Sequence, residues 1–196
     1  MSNLFTKLSK EAFAAGITPR TKESREWFME RARTLRAGKI NRNRLIKDDL
    51  LTLTNRERIG QMMMFFYDPK TKEKLPYYDT FPLIIVVGPA EGGFYGLNLH
   101  YLPPVLRAKM LDGLMEFTNN TRYDESTRFK AKYAMLQRMS KMRWYKPCFK
   151  HYLDSQLQSR FAVVNPSEWE IATFLPTASF KGASAKQVYA DSRRKI

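Results

Sequence analysis

The stretch FPLIIVVGPA, residues 81–90, constrains the fold of this chain more than any other. Leu83, Ile84, Ile85, Val86 and Val87 form an unbroken aliphatic run bounded by Pro82 and Gly88. Such a run is far short of the ~20 residues that span a bilayer. Its β-rich apolar content and flanking turn residues make it a central strand. PAEGG then supplies a turn, and FYGLNLHYL a second strand, so the pair reads as an antiparallel hairpin. GQMMMFFYD upstream and SRFAVVNP downstream read as further strands, the latter returning to the same sheet. An antiparallel sheet that is small and strongly bent, or closed into an SH3-like barrel, is therefore expected over about residues 60–102 plus 159–165.

Between two of these strands lies FYDPKTKEKLPYYDTFPL, rich in lysine, aromatics and proline. Asp68 and Pro69 begin a turn, and Pro76 and Pro82 lack the backbone donor that a mid-sheet position requires. Asp68, Glu73 and Asp79 fall in turns with no histidine or metal-ligand neighbour in sequence, so the segment reads as architecture rather than as acid/base machinery.

The flanking regions carry helical periodicity. In TKESREWFMERARTLRAGK, Ser24 can cap, Trp27, Phe28, Ala32 and Leu35 form a stripe, and Gly38 ends the run. PPVLRAKMLDGLMEFTNN places Val105, Leu106, Met110, Leu114 and Phe117 on one side. ESTRFKAKYAMLQRMSKMRW places Phe129, Tyr133, Leu136 and Met139 on another. YKPCFKHYLDSQL reads as a short helix from near Pro147, and PSEWEIATFL as a helix or turn. INRNRLIKDDLLTLTNRERIG shows no sustained period and reads as an arm lying on another molecule. The tail KGASAKQVYADSRRKI offers only Val188 and Tyr189 to a core and is expected to order against a partner. The fold class is thus α+β, a bent sheet surrounded by helices, with extended basic ends. Residues 1–59 form a basic helix and arm, 60–180 the core domain and 181–196 a basic tail.

Charge is the strongest global signal. Among 196 residues, 34 Lys and Arg face 19 Asp and Glu, a net charge of +15. This excess favours a polyanionic partner, because cations placed against phosphates release condensed counterions. The segment RFKAKYAMLQRMSKMRWYKPCFKHY interleaves basic and aromatic residues. Lys130, Lys132, Arg138, Lys141 and Arg143 are the expected main phosphate patch, with Arg42, Arg44, Arg193, Arg194 and Lys195 as arm contacts. A solvated or protein-docking face would explain the same charges.

Several chemistries find no support. Cys148, His100 and His151 are the only soft or borderline ligands, and Cys148 with His151 supplies two at most, so no metal site is expected. A nucleophilic Cys148 would need a low pKa and a third group orienting its base. VVGPAEGGFYG lacks the Gly-Lys-Ser/Thr of a phosphate-binding loop, and no acid cluster has the spacing of a metal-dependent nuclease. No catalytic residue, cofactor, small-molecule substrate or membrane segment is expected. The single cysteine, Cys148, fits a reducing cytoplasm or a particle assembled there.

YDPKTKEKLPYYDTFPLIIVV, continued by GGFYGLNLHYLPPVLRAKMLDGL, resembles small virion-associated proteins of T-even-type tailed bacteriophages over roughly residues 60–115. Within that group it is similar to the DNA end protectors, and also to tail or baseplate structural subunits. The first resemblance implies a non-enzymatic virion protein that binds the termini of packaged duplex DNA and shields them from exonuclease. The second implies a subunit that docks on other virion proteins without DNA. Neither implies catalytic residues.

Overall fold

A computed structural model describes residues 4–37, 40–47, 52–118, 124–143 and 145–194. The chain opens with helices α1 (Leu4–Ala14), α2 (Lys22–Ala37) and α3 (Arg42–Ile46). Strands β1 (Thr52–Thr54), β2 (Met62–Met64), β3 (Tyr78–Asp79), β4 (Leu83–Ala90) and β5 (Gly93–Asn98) follow. Helices α4 (Pro104–Thr118) and α5 (Glu125–Lys141) come next, then β6 (Phe149–Leu153), β7 (Phe161–Val164) and α6 (Trp169–Phe174). β8 (Phe180–Lys181) and α7 (Ala185–Arg194) close the described chain.

Six strands form one antiparallel sheet in the order β1-β7-β2-β4-β5-β6, and β3 pairs with β8 in a separate ribbon. The hairpin of β4 and β5 forms as its sequence predicts, with an irregularity between Val86 and Gly88 that bends it. SRFAVVNP does return, as β7 between β1 and β2.

Both faces of the sheet are buried, which accounts for the aliphatic run. Met62, Met64, Leu83, Ile85, Val87, Leu97, Ala162 and Val164 join the larger core with the helices. Their alternates, Met63, Ile84, Val86, Phe94 and Phe161, build a second core with Phe65, Tyr67 and Tyr152. Phe65 sits at the centre of that cluster, in edge-on contact with Tyr67, Phe94, Tyr152 and Phe161.

The structure corrects several expectations. The sheet does not close: β1 and β6 are its two ends, so the barrel is replaced by a bent open sheet. The ends are helices rather than extended arms. Phe5 and Leu8 of α1, Leu45 and Ile46 of α3 and Val188 of α7 all lie in the main core. Residues 52–54 of the supposed arm are β1, paired with β7. Residues 149–153 form β6 rather than a helix, because the edge of β5 offers a full ladder to them. In α4, Val105 is 57% exposed while Arg107 is buried, so the inward stripe is Ala108, Met110, Leu111 and Leu114. In α5, Tyr133 lies outside and Leu136 and Met139 inside. The side chains of Phe117 and Phe129 lie outside the described residues.

Candidate nucleic-acid interface

The lysine- and tyrosine-rich segment that precedes β4 leads into a buried polar network. Asp79, at the end of β3, is sealed from solvent beside His100, contrary to the sequence expectation of a turn carboxylate without a histidine neighbour. His100 Nδ1 donates to Asp79 Oδ2 at 2.6 Å, and the Thr177 hydroxyl donates to His100 Nε2 at 3.1 Å, the tautomer being assigned from this network. Asp79 Oδ1 accepts from the backbone N–H of Phe81 and of Ser179, and Oδ2 also accepts from Asn98 Nδ2. Burial opposes ionisation of Asp79, but His100 and the two N–H donors outweigh it, and the carboxyl is held below its ordinary value. Burial pulls His100 below the usual imidazole value more strongly than Asp79 raises it, with Arg107 and Arg42 adding to the fall.

The acid, imidazole and hydroxyl stand in the order of an acyl-transfer triad, but all three residues are buried. A nucleophile needs a path for its substrate, and Thr177 has none, so the network clamps the loop before β4 to the chain before β8. Arg107 extends the clamp, donating to the carbonyls of Leu102 at 2.7 Å and Thr173 at 2.9 Å and to the Tyr189 hydroxyl at 2.8 Å. Cys148 and His151 do not share a helix turn: Cys148 is buried and His151 exposed on β6. Burial pushes the Cys148 thiol up to about 12, the opposite of an activated nucleophile. Among the described residues, no three His, Cys, Asp or Glu gather into a metal-ligand group.

Above the clamp opens a cleft of about 320 Å³, walled by Tyr67, Tyr77, Tyr78, Tyr101 and Tyr152, with Lys70 and Lys150 at its side. Lys150 Nζ lies 4.1 Å from the centroid of the Tyr101 ring. Sequence reasoning missed this cleft. Its signal was present in the lysines and tyrosines of residues 67–78, but Tyr101 arrives from the turn after β5 and Lys150 from β6, far along the chain.

The expected phosphate patch divides. Asp124 caps α5 by accepting from the N–H of Thr127. Lys130, Arg138 and Lys141 are exposed on the helix and Arg143 just beyond it. Within the described residues no ion pair involves these four. Arg193 and Arg194 are exposed in the last turn of α7, where cations also favour the helix end. Arg42 is committed internally, its guanidinium donating to the carbonyls of Thr177 at 2.7 Å and Ala178 at 2.6 Å, so it fastens α3 to the core instead of reaching outward. The side chains of Lys132 and Arg44, and all of Lys195, lie outside the described residues.

Among known proteins, no curated protein and no solved structure matches this chain. A protein family does match, over residues 1–193 and therefore well beyond the segment of sequence resemblance. By that match the chain belongs to the family of the phage T4 terminal DNA protecting protein.

Proposed function

We propose that the protein shields duplex DNA ends by lying on the terminal phosphates, held by Lys130, Arg138 and Lys141 of α5 with Arg143 just beyond it, and by Arg193 and Arg194 of α7. The carrying observation is an exposed set of α5 cations without carboxylate partners in the described structure, in a chain of net charge +15 that belongs to a DNA-protecting family. Phosphate contacts give affinity without sequence readout, which suits a protein that must hold whatever sequence lies at the end.

A salt titration of binding to linear duplex, competed against the same DNA as a closed circle, tests this reading. Preference for the linear form is expected. Reversing Lys130, Arg138 and Lys141 to Glu should weaken binding to every duplex alike and flatten the salt slope by ~0.9 per lost contact. No duplex affinity near about 150 mM salt would overturn it.

A virion-protein neighbour is the second reading, and one feature favours it. Phe13 is 86% exposed beside an apolar cleft of about 440 Å³ lined by Ile17, Phe28 and Ile171. On that reading the protein docks through this face, and binding to linear DNA is absent.

A further inference from the structure

We infer that the tyrosine-walled cleft between residues 67–79 and β6 receives the terminal nucleotide of a DNA strand, its base on Tyr78 and its terminal phosphate against Lys70 and Lys150. This rests on the end-shielding reading above and gives it a means of telling an end from an internal stretch.

The lining argues for a planar, anionic occupant. Tyr67, Tyr77, Tyr101 and Tyr152 are each packed ring against ring with other aromatics. Tyr78 also lines the cleft, is partly exposed, and alone among the lining tyrosines has no ring partner within the described residues. An unpartnered aromatic face at the mouth of a cleft is what base stacking uses, and stacking tolerates any base. Lys70 is exposed beside it, and Lys150 stands over the Tyr101 ring. The one carboxylate in the lining, Asp79, is buried and turned to two backbone N–H groups, an amide and His100, so its single negative charge stands at the floor against the two cations Lys70 and Lys150 at the side.

Size selects the end. A cleft of about 320 Å³ lies near the lower limit of small-molecule sites, which run from ~300 Å³ upward. It has room for one nucleotide and none for a duplex. A terminal base pair is stacked on one side only, so it opens at lower cost than an internal pair, and extrusion is easiest where pairing is already weak. A terminal phosphate monoester also carries more negative charge than an internal diester. The cleft would therefore read two properties that a closed circle lacks.

The test compares a blunt duplex with 5′-phosphate, 3′-phosphate or hydroxyl ends against the same duplex closed by hairpins at both ends. Tyr78→Ala should cut the preference for the open duplex by about tenfold, the worth of one stacked base. Tyr78→Phe should keep it. Lys70→Gln with Lys150→Gln should remove the discrimination between phosphorylated and hydroxyl ends. Binding to the hairpin-closed duplex should stay as in the parent for all of these variants, whereas the α5 charge reversals should weaken both forms equally. Continued protection of Cys148 from alkylation confirms that each variant is folded, because that thiol is buried. An unchanged open-end preference in folded Tyr78→Ala and Lys70→Gln/Lys150→Gln overturns the inference while leaving general DNA binding intact. Loss of all duplex binding in the parent overturns the end-shielding reading itself.

Discussion

At the scale of single residues, Asp79 decides more than any surface charge. Its two oxygens serve four donors in the protein interior, a demand that an amide cannot meet. Asp79→Asn should cost about 3 kcal/mol or more, since it presents an N–H to groups that are themselves donors. Urea unfolding measures this, and a loss below about 1 kcal/mol would show that the network is peripheral. The pH dependence follows from the direction of both shifts. His100 titrates lower folded than unfolded, so its contribution is complete above the unfolded value of about 6.5 and declines as pH falls below it. Asp79 is likewise held low, so its contribution is lost only at more acid pH, as pH drops from about 3.9 through its folded value. The protein should therefore lose stability in two stages on acidification. Asp79→Asn should remove the second stage.

At the scale of elements, the hairpin of β4 and β5 lies within the sheet between β2 and β6, and at Gly93 the neighbouring backbone leaves no room for a side chain. A Cβ at Gly93 would stand 1.9 Å from the Tyr152 carbonyl oxygen across the β5/β6 ladder. Gly93→Ala should force β6 away from β5, and with it Lys150 and Tyr152 from the cleft. A stability loss of at least about 2 kcal/mol in denaturant is expected, together with weaker discrimination between open and closed DNA ends. The α-helical periodicity was legible wherever one face was apolar, as in Phe28 and Ala32 of α2. It misled at α4, where the buried Arg107 takes an inward position that an apolar side chain would be expected to hold. It misled again at β6, since Phe149, Lys150, His151, Tyr152 and Leu153 carry too few apolar residues to separate a short helix from an edge strand.

At the scale of the whole molecule, the basic ends are part of the fold. Phe5 and Leu8 are buried in the main core, Ser24 Oγ donates to Glu170 Oε1 at 2.6 Å, and the Arg20 N–H donates to the same carboxylate at 2.9 Å. An N-terminal deletion through residue 20 would expose the surfaces that Phe5 and Leu8 cover, at about 1.5–3 kcal/mol for each side chain. Thermal unfolding of the truncated chain should show a clear fall in Tm, and the intact chain should resist proteolysis within residues 4–14. Ready clipping there without a change in Tm would restore the picture of a detachable arm. As a member of its family, the protein is a DNA-protecting component of the phage particle and not an enzyme. The sequence by itself determined the four inner strands β2, β4, β5 and β7, most of the helices and the basic character, because alternation, helical period and net charge are properties of neighbouring or summed residues. Only the tertiary structure decided that Asp79 meets His100 and Thr177, that Arg42 and Arg107 turn inward while the α5 cations face out, and that tyrosines from distant segments wall one cleft. Those outcomes depend on contacts between residues far apart in the chain, whose free energy is set by burial and hydrogen-bond satisfaction in the assembled core and leaves no local period to read.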